Sequence, residues 1–140
     1  PDSFEFEEMD EISWEQAGDL PLALLRPSMY ERAIAEETFA QAGKKVIPKI
    51  ESESILHLMF QTQFTELCTI IPSHYTRMPG LHSGTKALLL KDPIIRKGIG
   101  LFWLKTETVI PITKIAEEVG QSLAENNELQ KFLYRGTRLE

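Results

Sequence analysis

The chain has 140 residues, which is enough for one compact domain with its own core and too short for two to be expected. It is 42% hydrophobic and 26% charged, and no run approaches the roughly 18 apolar residues of a membrane helix, so the composition predicts a soluble globular protein. The net charge of -6 excludes a domain that wraps a nucleic-acid backbone by itself, because such binding needs clustered Lys and Arg.

The first predicted strand and helix lie close together in the sequence. Residues 20–25 form an apolar run typical of a buried strand. Ser28 and Glu31 then stand in the S-x-x-E spacing of a capping box, which predicts a helix that begins at Met29 and ends at Gly43. Either Ser28 only caps this helix, or its turn also presents free backbone amides to an anionic ligand.

A second strand and helix are predicted next. Residues 44–52 favour a strand, with Pro48 at an edge or irregular position. Either Ser52 or Ser54 is expected to cap the helix that the apolar residues of 53–64 predict.

The remaining segments continue the alternation of strands and helices. Residues 67–72 read as a third buried strand, and 73–84 as an exposed loop. Residues 85–93 and 98–105 predict a fourth and a fifth strand. The clearest helix starts at Pro111, with apolar residues at helical spacing on one face: Ile112, Ile115, Ala116, Val119 and Leu123. A last short helical turn is possible at 128–133, and the whole order predicts an α/β fold.

No catalytic or metal-binding pattern is found in the sequence. The three histidines, His57, His74 and His82, are scattered and lack the spacing of zinc ligands. There is no phosphate-binding loop, dinucleotide fingerprint or nucleophile elbow. The single cysteine, Cys68, lies in an apolar run and predicts a structural thiol in a reducing compartment. We therefore expect no enzyme activity of the chain's own, no cofactor and no metal.

Four segments in a fixed order resemble a known family. They are "DLPLALLRPSMYERAIAEETFAQAG", "ESESILHLMFQTQFTELCTIIPSHY", "KALLLKDPIIRKGIGLFWLK" and "PITKIAEEV", spanning about residues 15–123. Together they resemble the second half of the effector-binding domain of LysR-type transcriptional regulators. One departure is Thr65-Glu66-Leu67, where family members usually have G-x-G, and we expect side chains at these positions to change the turn before the third strand.

The resemblance implies a fold and a domain division. The fold is α/β: a type 2 periplasmic-binding-protein-like lobe, a sheet covered by helices, plus a returning strand and helix of the other lobe. Residues 1–140 are then a partial effector-binding domain, in which about 15–90 form the second lobe and about 91–140 cross back to the first. The first residue is proline, so we expect a piece of a longer protein whose DNA-binding domain lies upstream.

The resemblance also implies an effector site in the cleft between the lobes, for a small anionic ligand. Its contacts fall on three turns, each after a strand: Arg26, Pro27, Ser28 and Met29; Ser54 and Ile55; and Pro72 and Ser73. Residues 74–86 either add specificity or are simply solvated.

The implied function is that of a cytoplasmic ligand-sensing domain. It would act on DNA only through the missing domain, as a homodimer or homotetramer whose contacts include exposed apolar residues of the helices at Met29 and Ile55. Two alternatives stay open: a solute-binding lobe of a transport protein, and an α/β enzyme completed by missing sequence. The upstream sequence discriminates, since a helix-turn-helix indicates the regulator and a signal peptide the solute-binding protein.

Overall fold

The computed structural model describes residue 6 and residues 8–78, 84–97 and 111–126. The chain divides into two compact units, Pro1–Ile95 and Arg96–Glu140. Within the described ranges, no helix is both long and apolar enough to cross a bilayer.

The first unit is built on a parallel three-stranded sheet. Strand β2 (Leu22–Leu25) lies in the middle, with β3 (Ile50–Ser52) on one side and β4 (Cys68–Thr69) on the other. Helix α2 (Tyr30–Gln41) connects β2 to β3, and helix α3 (Ile55–Phe64) connects β3 to β4. The predicted α/β alternation is confirmed in this region, and Pro48 precedes the edge strand β3.

The two helices cover opposite faces of β2, because successive residues of a strand point to opposite sides. Leu22 and Leu24 pack in one cluster with Phe39 of α2, whereas Ala23 and Leu25 pack in a second with Leu58 of α3. Every residue of β2 is therefore buried, as expected of a central strand in a parallel sheet.

Two elements were not predicted. Strand β1 (Glu11–Ser13) pairs in parallel with β5 (Leu89–Lys91), which confirms the strand predicted at 85–93. Helix α1 (Trp14–Ala17) follows β1 with a complete capping box between Ser13 and Gln16. Both elements are too short to give a periodic signal.

The start of α2 corrects the sequence prediction. The helix begins at Tyr30 and its N-cap is Met29 in an extended conformation, and no side chain in the described part of the chain caps it. The Met29 amide donates to the Arg26 carbonyl at 2.9 Å, so Ser28 lies inside a turn and the capping box with Glu31 is not formed.

The end of α2 confirms the prediction. Gly43 adopts a left-handed conformation with φ 73°, as a helix-ending glycine should. Its amide bonds the Ala40 carbonyl at 3.0 Å, and the Lys44 amide bonds the Phe39 carbonyl at 2.8 Å. These two bonds form a Schellman motif, which satisfies carbonyls that the helix leaves free.

The last elements agree in part with the predictions. The predicted loop after β4 contains a short 3-10 helix, Ser73–Arg77. Helix α4 (Pro111–Glu125), in the second unit, confirms the predicted amphipathic helix. The strand predicted at 98–105 and the turn predicted at 128–133 lie outside the described residues.

Candidate functional site

Three turns follow the carboxyl ends of β2, β3 and β4. Because these strands are parallel, the turns emerge at the same edge of the sheet. The chain passes from β2 to β3, which is the neighbour of β2 on one side, and then crosses to β4, which is the neighbour of β2 on the other side. In doubly wound sheets such a reversal of strand order opens a crevice in which ligands bind. All eight predicted site residues fall on these three turns, at 26–29, 54–55 and 72–73.

The first turn is exposed except at its end. Arg26, Pro27 and Ser28 are exposed, while Met29 is half-buried against the cluster of Ala23, Leu25 and Leu58. Since Ser28 does not cap α2, its position in the turn is not explained by helix capping.

Arg26 joins the first turn to the second. Its amide donates to the Ser52 carbonyl at 2.9 Å, and its Nη1 donates to Glu53 Oε1 at 2.8 Å. The Arg26 and Glu53 side chains are 57% and 66% exposed. Exposed ion pairs contribute little free energy, so a ligand anion could replace the Glu53 carboxylate at modest cost.

The second turn is fixed by serine hydroxyls. Ser54 caps α3, its Oγ accepting from the His57 amide at 3.3 Å, which confirms the second of the two predicted alternatives. Buried Ser52 instead accepts from the Ser54 amide at 3.1 Å and lies 3.0 Å from His57 Nδ1. Ile55 packs against the same core cluster as Met29. The three hydrogen bonds connect this turn to the first turn of α3.

The third turn continues β4. Pro72 is the N-cap of the 3-10 helix, and its carbonyl accepts from the Tyr75 amide at 3.0 Å. Pro72 is half-buried and Ser73 is exposed. The turn therefore offers one restrained and one accessible residue at the edge shared with Arg26.

A buried arginine supports the first two turns and was not predicted. Arg32 of α2 is only 5% exposed and donates through Nη1 to the Leu25 carbonyl at 2.7 Å and to Glu51 Oε1 at 2.9 Å. Its Nε also donates to Glu36 Oε1 at 2.9 Å. Arg32 thus ties the end of β2 to β3. The signal in the sequence was its spacing of seven residues from Phe39, which puts a charge on the buried face of the helix.

The departure at Thr65-Glu66-Leu67 has a local structural explanation. Thr65 ends α3 in an extended conformation, and its Oγ1 donates to the Gln61 carbonyl at 2.6 Å. The same oxygen accepts from the Leu67 amide at 3.2 Å. A threonine side chain here supplies hydrogen bonds to the backbone at the end of the helix.

Two further properties concern the Cys68 thiol and the residues that could bind a metal ion. Burial raises the pKa of the Cys68 thiol on β4, so the thiol stays protonated at neutral pH, in keeping with a structural role. The residues that the structure describes contain no cluster of three or more His, Cys, Asp or Glu that could hold a metal ion.

Comparisons with known proteins give no relative. No protein-family model, curated protein or solved structure matches the chain.

Proposed function

We propose that the chain is the ligand-sensing regulatory domain of a LysR-type transcriptional regulator. In this proposal it acts in the cytoplasm, binds a small anionic effector and controls DNA binding through an attached domain. It has no enzyme activity of its own. The observation that carries the proposal is the convergence of three turns at the switch point of a parallel sheet.

The anionic character of the effector is supported by Arg26. Its guanidinium is 57% exposed and already binds a carboxylate, that of Glu53, in a single contact at 2.8 Å. Arginine binds carboxylates in a planar fork, so an effector acid that offers both oxygens gains a bond that Glu53 does not make here. The uncapped start of α2 adds a positive helix end close to the same turn.

Transmission to DNA would depend on assembly. The regulator would work as a homodimer or homotetramer, in which the effector favours one arrangement of the subunits over another. Arg32 provides a physical link, because it connects the strand end below the ligand turn to β3 and α2.

The test is a thermal-shift screen of the complete protein against small organic acids and amino acids, repeated with Ser28→Ala and Arg26→Ala. A ligand that binds only the native state raises the unfolding midpoint according to its affinity. We expect at least one acid to stabilise the parent, and both substitutions to reduce the shift. Because Ser28 caps no helix, Ser28→Ala should leave the midpoint without ligand unchanged.

The matched control is Lys45→Ala, which also removes an exposed cation but lies beyond the end of α2, whereas Arg26 precedes its start. Its ligand response should equal that of the parent. The sensing role of this edge is rejected if no acid raises the unfolding midpoint of the parent. It is also rejected if an acid raises the midpoints of the parent, Arg26→Ala and Ser28→Ala equally. If the active acid raises or lowers the affinity of the parent for its operator, ligand sensing is coupled to DNA binding.

A further inference from the structure

The three turns at the edge of the sheet carry one cation and one anion, and these two are paired. Among residues 26–29, 53–55 and 72–73, all of which the structure describes, only Arg26 and Glu53 are charged at neutral pH. Arg26 Nη1 donates to Glu53 Oε1 at 2.8 Å. The other exposed residues of these turns are neutral: Pro27, Ser28, Ser54 and Ser73. The edge is therefore neutral as a whole, with its two opposite charges side by side.

The ion pair uses only part of what its two side chains offer. In the described part of the chain, the single bond between Nη1 and Oε1 is the one hydrogen bond that either side chain makes. The other N–H donors of the Arg26 guanidinium and the second carboxylate oxygen of Glu53 remain for a ligand. Both side chains are more than half exposed, so ligand groups reach them from solvent. A bound molecule can therefore contact both members of the pair without separating them.

We infer that the effector is an α-amino acid, whose carboxylate binds Arg26 and whose ammonium group binds Glu53. The inference rests on the proposed function and narrows its anionic effector to an acid that also carries an amino group. Both charged groups of an α-amino acid are attached to one carbon atom, so the nitrogen and the nearer carboxylate oxygen lie about 3 Å apart. This spacing matches the 2.8 Å between Arg26 Nη1 and Glu53 Oε1. An amino acid that lies antiparallel to the pair places each of the four charges next to opposite charges.

A carboxylic acid without an amino group matches the pair less well. Its carboxylate binds Arg26 and thereby brings a second negative charge next to Glu53. Two like charges in contact repel each other, and salt screens charges only beyond several ångströms. The acid either bears this repulsion or displaces Glu53 from Arg26, and both lower its affinity. Glu53 therefore makes the site specific by repelling the wrong ligand as well as by attracting the right one.

The experiment is calorimetric titration of the complete protein with matched pairs of compounds that differ only in the α-amino group. The probes are the standard amino acids and, for each, the acid that lacks the amino group, such as leucine and 4-methylpentanoic acid. We expect an amino acid to bind the parent about tenfold more tightly than its partner acid, as for a hydrogen bond between charged groups. In Glu53→Gln, affinity for the amino acid should fall and affinity for the partner acid should rise, so that the preference is lost.

Glu37→Gln is the control, because it removes the same charge from an exposed position on α2, where Glu37 accepts a hydrogen bond from Gln41. Its affinities should equal those of the parent, and circular dichroism verifies that both variants fold. The inference is overturned if no amino acid binds the parent or if the partner acids bind as tightly. It is also overturned if Glu53→Gln changes both affinities by the same factor. An acid whose binding still depends on Arg26 and Ser28 would then leave the proposed sensing function standing.

Discussion

At the residue scale, two arginines near the end of β2 have the same chemistry and different surroundings. Arg32 is 5% exposed and donates to the Leu25 carbonyl, while Arg26 is 57% exposed and pairs with Glu53. Replacing Arg32 with Met removes the donor to a buried carbonyl but keeps an apolar stem of similar length. Its carboxylate partners, 52% and 41% exposed, regain water.

We therefore expect Arg32→Met to lower the free energy of unfolding by about 1–3 kcal/mol, the cost of an unsatisfied buried group. Arg26→Met should change it by less than about 1 kcal/mol, as for other exposed ion pairs. Urea titration of both variants measures the difference. Equal losses would mean that Arg32 acts as an ordinary surface charge.

Thr69 on β4 carries an unsatisfied hydroxyl. Its Oγ1 is buried and has no hydrogen-bond partner among the residues that the structure describes. Thr69→Val keeps the shape and removes the unsatisfied group, so it should raise the free energy of unfolding by about 1 kcal/mol. The control is Thr62→Val, which loses the bond from Thr62 Oγ1 to the Met59 carbonyl at 2.8 Å. Thermal unfolding measures the stability of both variants. If Thr69→Val loses as much stability as Thr62→Val, the Thr69 hydroxyl is hydrogen-bonded.

At the scale of elements, the two serines that precede α2 and α3 have different roles. Ser54 accepts from the His57 amide and caps α3, whereas Ser28 caps nothing. Ser54→Ala should cost about 1 kcal/mol, the usual value of an N-cap. Ser28→Ala should fall within about 0.5 kcal/mol of the parent. The urea midpoints of both variants measure these changes. An equal loss of unfolding free energy in Ser28→Ala would show that Ser28 does cap α2, as the sequence predicted.

The end of α2 depends on the backbone freedom of glycine. Gly43 has φ 73°, and a Cβ added there would meet no atom of the described residues within 4 Å. The cost of Gly43→Ala is therefore conformational alone, about 1–2 kcal/mol. Gly43→Asn should cost less, because asparagine tolerates this region. Chemical denaturation measures the free energies of unfolding of the parent, Gly43→Ala and Gly43→Asn. If Gly43→Ala is as stable as the parent, the end of the helix rearranges to accept alanine.

At the scale of the whole molecule, Cys68 links stability to alkaline pH. Burial raises its pKa in the folded state, so the folded protein holds the proton to higher pH than the unfolded chain does. The stability from the neutral thiol is complete at neutral pH and is lost as the pH rises beyond the unfolded pKa of about 8.5.

The parent should accordingly lose more stability than Cys68→Ala between about pH 7 and pH 10, a window that spans the ionisation of an ordinary thiol. Unfolding free energies of both proteins at the two pH values measure this, and the titration of other groups cancels in the comparison. Parallel pH dependences would show that the thiol is not buried in solution.

The sequence by itself determined what depends on near neighbours along the chain. The apolar run of β2, the glycine that ends α2, a serine cap before α3 and the period of α4 all follow from groups within a few residues of one another. The resemblance in segment order, and not the local signals, selected the predicted site residues, while strand ends and turn residues predicted that those positions follow strands.

Only the tertiary structure decided what depends on partners far apart in sequence. Arg26 meets Glu53, 27 residues away, and the Trp14 indole donates to the Pro93 carbonyl, 79 residues away. The start of α2 at Tyr30, and with it the release of Ser28 from capping, was likewise not determined by the S-x-x-E spacing. A local sequence pattern is compatible with several sets of hydrogen bonds. Packing between distant segments selects the set that forms, because only that set agrees with the global fold.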